Sequence, residues 1–153
     1  MKKIILLLFA LVFTSSLTYA QEDVKLIILE AKLDKVDYTD MYLQNEAYLV
    51  LYTTDDGQLN LANVLPVAKS QSYGKVSMWT EEKDSPDTPE GYKTESFLFR
   101  WSYNNTYDTK TGSAVCCLKK IHKPRAIAYE LYMLTEDAST LEFKGYVEGT
   151  LKN

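Results

Sequence analysis

Nothing constrains the fold of this chain more than a run of aromatic residues at every second position. In Phe97-Leu98-Phe99-Arg100-Trp101-Ser102-Tyr103 four rings alternate with Leu98, Arg100 and Ser102. A strand places residues two apart on one face, whereas a helix would scatter these rings around its axis. Aromatic side chains also fit a pleated, half-buried surface. The ending repeats the pattern. Over Leu141–Leu151, Leu141, Phe143, Val147 and Leu151 share one face with Gly145 and Gly149, and Glu142, Lys144, Tyr146, Glu148 and Thr150 share the other. Glycines on the inner face of a strand mark a bend, a bulge or a closely approaching neighbour.

Further segments read the same way. Ala114–Ile121 and Ala126–Leu134 are strands separated by His122-Lys123-Pro124-Arg125, and the second puts Ile127, Tyr129, Leu131 and Met133 on one face. Ala47–Thr54 is apolar on both faces, as a covered strand would be. Asp55-Asp56-Gly57 is a tight turn into Gln58–Leu65, with glycine accepting positive φ. A weaker strand runs from Lys75 to Thr80. Residues 24–36 fit two patterns. Leu26, Leu29, Leu33 and Val36 form a helical stripe, and Ile27, Leu29, Ala31 and Leu33 alternate as in a strand. The strand is preferred because the apolar first half suits a sheet interior. Three polar loops remain: Asp34–Glu46, Glu81–Gly91 and Asn104–Gly112.

About seven or eight short strands with regular turns and no strand–helix alternation give an all-β fold, either an antiparallel sandwich or a small up-and-down barrel. A single N-terminal helix over residues 24–36 is the competing local reading.

Residues 1–20 form a separate unit. Met1-Lys2-Lys3 precedes an apolar run from Ile4 to Phe13, and a small, polar stretch ends at Ala20. This is the layout of a secretory signal peptide, with cleavage near Ala20. The run is shorter than the roughly 20 residues of a typical membrane span. The expectation is therefore an exported chain, secreted or periplasmic, with one β-rich domain over residues 21–153. No membrane span is expected in the mature chain. Loss of Lys2 and Lys3 moves the net charge from −4 to −6. An acidic chain without a basic excess is a poor partner for nucleic acid.

The chemistry-bearing residues are few. The only histidine, His122, excludes motifs that need two. With no carboxylate near it in sequence to orient it as a base, it reads as a solvated turn residue. Around it, Lys119, Lys120, Lys123 and Arg125 form the one dense positive cluster, a candidate anion site or simply a solvated face. Cys116 and Cys117 are adjacent, so on a strand their sulfurs diverge. The preferred reading is two reduced thiols on opposite faces, ahead of an intermolecular bridge and a vicinal disulfide. No nucleophile elbow, phosphate-cradling loop, redox motif or calcium-loop pattern occurs, so no catalytic residue, metal or cofactor is assigned. Trp101, Tyr103 and Tyr107, beside the Asn104–Gly112 loop, are the candidate ligand-binding set.

The function expected from these features is non-enzymatic binding of a small molecule, a glycan or a protein. The alternative is an assembly protein, possible as an oligomer, joined through an edge strand or a cysteine thiol. A lesser alternative is a hydrolase using two carboxylates across a cleft.

Overall fold

The computed structural model describes residues 23–83 and 85–152. The expected signal peptide, residues 1–20, lies outside the described residues. In chain order the elements are β1 (Val24–Leu33), β2 (Val36–Asp37), α1 (Thr39–Gln44), β3 (Tyr48–Thr53), β4 (Leu59–Leu65), β5 (Ser70–Glu82), β6 (Thr94–Asn105), β7 (Thr111–His122), β8 (Ile127–Thr135) and β9 (Thr140–Val147). Each strand from β3 to β9 pairs antiparallel with its sequence neighbours, and β1 pairs with both β3 and β9. The result is a closed, eight-stranded antiparallel up-and-down barrel with one extra strand, β2, and one short helix. This decides between the two expected architectures in favour of the barrel. β3 buries only its inner face, at Leu49 and Leu51; Tyr48, Val50 and Tyr52 on its outer face are half-buried.

Residues 24–36 are strand up to Leu33, not helix; the helix comes later, inside the segment expected to be a loop. Asp34 and Lys35 both adopt positive φ, 48° and 68°, and form a two-residue turn that folds β2 back on β1. Both central residues of such a turn must be left-handed. An Asp-Lys pair advertises this far less than Asn-Gly would. A bulge in β1 between Ile28 and Glu30 leaves Leu29 on the outside. β1 then pairs with β9 as far as Leu33 but with β3 only as far as Ile27. Beyond that point the β2–α1 segment replaces β3 as its neighbour. The N–H of Ala31 donates to Thr39 Oγ1 at 3.1 Å, and its carbonyl accepts from the N–H of Tyr38 at 2.9 Å. These bonds satisfy backbone groups that would otherwise be stranded where β3 departs.

The predicted inward faces of β6 and β8 are the observed ones. Phe97, Phe99 and Trp101 are buried, as are Tyr129, Leu131 and Met133. They join Leu26, Ile28, Leu49, Leu61, Leu118 and Phe143 in one core. The final strand is shorter than its pattern suggests. β9 stops at Val147, Gly149 takes φ 79° in a turn, and Leu151 is exposed. Strand β5 is longer than expected, running from Ser70 to Glu82. A register shift between Ser77 and Thr80 interrupts it: Met78, at φ 56°, is extruded, and Trp79 stacks on Phe97 and Phe99.

Antiparallel alternation gives the barrel two different ends. One carries α1 and the β4–β5, β6–β7 and β8–β9 connections. The other carries the start of β1, the end of β9 and the β3–β4, β5–β6 and β7–β8 connections, the first including Asp55-Asp56-Gly57, where Gly57 has φ 81°.

Candidate ligand cavity

An eight-stranded barrel is just wide enough for its side chains to fill it or for one small ligand to occupy it. This barrel does both. The half nearer the chain ends is packed solid, and the half beneath α1 encloses a cavity of about 600 Å³, within the range typical of small-molecule sites.

Glycines create much of that space. In register, Tyr103 lies between Gly74 on β5 and Gly112 on β7. A Cβ on Gly112 would stand 2.5 Å from the Tyr103 hydroxyl and 2.6 Å from Cζ. The ring therefore lies over the bare backbone of Gly112, where a larger residue would displace it. Trp101 forms the adjoining wall, its ring 4.5 Å from that of Tyr103, and its indole N–H donates to the Leu61 carbonyl at 2.9 Å. Met133 and Leu141 extend the apolar lining.

Helix α1 supplies one side of the mouth. Tyr42 reaches inward to pack edge-on against Phe143, with ring centroids 5.3 Å apart. Burial raises its phenol pKa above the ordinary value, an effect its bond with Asn63 opposes. Asn63, on β4, is 9% exposed and lines the cavity. Its Nδ2 stands 3.4 Å from the Tyr42 hydroxyl, and its buried Oδ1 has no partner among the described residues. An amide has three or four hydrogen-bonding positions, so this side chain keeps unused capacity in the cavity wall, its Oδ1 shut off from the open space.

The β6–β7 loop is tied down. Thr106 exchanges bonds with the backbone of Gln71 on β5, and Ser72 donates to Asn105 at 2.6 Å. Tyr107 extends from this loop at the mouth and is 67% exposed. On the same side of the barrel, separated from it by β7 and β8, the β8–β9 turn brings Glu136 and Asp137 into the lining, Glu136 accepting from the Ser113 hydroxyl. Bonds from Thr135 and Ser139 hold the Asp137 carboxyl below its usual pKa. The Tyr103 phenol is held above its ordinary value, first by burial, then by Tyr107, Asp137, Glu136 and Asp108.

The structure thus brings Trp101, Tyr103 and Tyr107 to one cavity. It does not bring the basic cluster together. Lys119 faces outward in a cross-strand row with Glu130, Lys144 and Glu30. Lys120 sits with its ammonium 5.5 Å from the Phe97 ring, and Lys123 and Arg125 lie in the β7–β8 turn. His122 has a carboxylate after all: its Nε2 is 2.5 Å from Glu95 Oε2 on β6, a partner 27 residues away that sheet pairing supplies. Cys116 is buried inside, Cys117 is half-buried on the outside, and both are free.

Sequence reasoning missed Tyr42, Asn63, Glu136 and Asp137. Asn63 did leave a signal, because it shares the inward parity of Leu59, Leu61 and Leu65 and is a polar residue on an apolar face. Tyr42 left none, since its position depends on where β3 parts from β1. Among the described residues no group of side chains could hold a metal ion, and no helix is long and apolar enough to cross a membrane. The only lining carboxylates among the described residues, Glu136 and Asp137, are adjacent in one turn, so no acid faces another across the cavity. Comparison of the chain with protein-family models, curated proteins and solved structures found no match.

Proposed function

We propose that this protein binds a small molecule with an apolar body in the open half of its barrel, as a carrier or sensor and not as an enzyme. The observation that carries the reading is a formed cavity of about 600 Å³ walled by Trp101 and Tyr103, with the under-bonded amide of Asn63 in its wall. An unsatisfied buried polar group costs about 1–3 kcal/mol, and a ligand that draws this amide toward the cavity and pairs with it recovers part of that cost. The anchored β6–β7 loop keeps the site formed before binding, which reduces the ordering entropy a ligand must overcome.

The test is titration with a neutral fluorescent aryl probe, N-phenyl-1-naphthylamine, followed by probe emission. Wild type should bind it saturably, one per barrel. Gly112→Ala drives the Tyr103 ring off its backbone seat into the cavity and should weaken binding about tenfold with an unchanged circular-dichroism spectrum. Asn63→Leu is the complementary variant for hydrogen-bonding ligands. It removes an unsatisfied buried oxygen but also the long bond to the Tyr42 hydroxyl, so the stability of the ligand-free protein should stay within about 1 kcal/mol of wild type. Absence of saturable binding, or equal affinity in a folded Gly112→Ala protein, would overturn the proposal.

A further inference from the structure

The charges around the cavity are of one sign. Glu136 and Asp137 line it, and Asp108 stands close enough to Tyr103 to oppose its ionisation. None of the three takes part in an ion pair among the described residues. No lysine or arginine among the described residues lines the cavity, although Lys35, Lys69 and Lys110 lie in turns at the same end of the barrel. A carboxylate-bearing ligand entering here would meet like charge at a solvated mouth with no cation in the lining to pair with. A ligand cation would meet the opposite. The rings of Tyr103 and Tyr107 line the same cavity, and their faces attract cations, more strongly at the partly buried Tyr103 than at the exposed Tyr107. Deeper in, the under-bonded amide of Asn63 stands in the cavity wall.

We infer that the cavity selects organic monocations: an ammonium head held at the mouth by Glu136, Asp137 and Tyr107, on an aryl or alkyl body lodged against Trp101, Tyr103 and Met133. The inference rests on the cavity being the ligand site and adds the charge of the ligand. It also gives a role to an exposed tyrosine that shares the cavity lining with two carboxylates. The opposite choice, a fatty-acid-like anion, would need a basic residue in the lining.

Three compounds with one body separate these cases: 2-(1-naphthyl)ethylamine, 2-(1-naphthyl)ethanol and 1-naphthylacetate. Each is titrated against the N-phenyl-1-naphthylamine complex of the intact protein at pH 7 in low salt. The amine should displace the probe at about one-tenth the concentration the carboxylate needs or less, with the alcohol between them. Raising the salt to about 0.5 M should shrink that ratio, because mouth charges are partly solvated and are screened. In the double variant Glu136→Gln/Asp137→Asn the ratio should collapse toward one. Both amides preserve the acceptors used by Ser113 and Ser139, so the turn is retained, and an unchanged circular-dichroism spectrum verifies it. A carboxylate that competes as well as the amine, or a preference that survives the double variant, overturns the inference while leaving the binding site standing. The inference falls equally if the probe binds and none of the three displaces it. If neither the probe nor any of the three binds, the ligand-site reading itself fails.

Discussion

Cys116 shows how much a single inward position can determine. Its side chain is fully buried between inward neighbours on a strand, and burial pushes its thiol pKa up to about 12. The thiolate is the reactive form, so this cysteine is chemically quiet inside the fold. The raised value also sets a pH dependence. In the unfolded chain the thiol ionises near its ordinary value of about 8.5, while in the folded chain it holds its proton to far higher pH. The stabilisation this represents is complete below the unfolded value and is lost as pH rises from there toward 12. The loss approaches about 1.4 kcal/mol per pH unit once the unfolded thiol is ionised. Tyr129, buried in the same core with no partner for its hydroxyl among the described residues, is raised in the same direction. It adds its share above the ordinary tyrosine range of about 10. Urea midpoints at about pH 7, 9 and 10 measure this. Wild type should lose stability over that interval, and Cys116→Ala, less stable at neutral pH, should lose distinctly less. Parallel pH slopes in the two proteins would show that the buried thiol is not the titrating group.

At the scale of elements, what could be read in advance was whatever repeats with period two. The faces of β6 and β8 were legible because nothing interrupts them. Where a bulge intervenes, parity fails and the sequence carries no marker for it. Leu29 and Met78 look inward by counting, and both are outside. Lys119 and Lys120, neighbours in sequence, point to opposite faces of β7, and Lys119 finds its company across β8 and β9. Trp101, Tyr103 and Tyr107 come to one cavity because Trp101 and Tyr103 share a face and the following loop returns over the same end. The bulge in β5 is a device with a testable energy. Extruding Met78 at φ 56° lets Trp79 reach the rings of Phe97 and Phe99, at centroid separations of 5.0 and 5.1 Å. A left-handed non-glycine residue costs roughly 1–2 kcal/mol, and Met78, 77% exposed, returns little by packing. Met78→Gly should therefore raise the urea-derived stability by about 0.5–1 kcal/mol, reduced from the full strain by the entropy glycine adds to the unfolded chain. A loss of stability on this substitution would mean that Met78 makes contacts its exposure does not suggest.

The whole molecule follows from an even number of walls. Eight antiparallel strands return the chain to the end where it started, so Leu26 of β1 is paired with Val147 of β9, and the Glu148 N–H donates to the Lys25 carbonyl. The start of β1 and the end of β9 thus meet at the end opposite the mouth, and the connections around the mouth are all continuous. Circular permutation separates the two halves of that statement. A short Gly-Ser linker from Lys152 to Asp23 makes β1 and β9 a local hairpin. New ends opened between Asp56 and Gly57 turn β3–β4 into the long-range closure in exchange. Loop-closure entropy grows only slowly with length, so stability should stay within about 1 kcal/mol of wild type. Probe affinity should be unchanged, because this cut lies at the packed end. The same linker with new ends between Asp108 and Thr109 preserves every strand pair but opens the loop that presents Tyr107. Its Asn105–Lys110 bond would then have to hold two free ends together. That permutant should fold to the same strand content and bind the probe several-fold more weakly, in keeping with the entropy of ordering a freed segment on binding. Equal affinity in both permutants would place the ligand below the rim, against Trp101 and Asn63 alone. Loss of affinity in the first would mean that the packed half of the barrel, and not the mouth, sets the shape of the cavity.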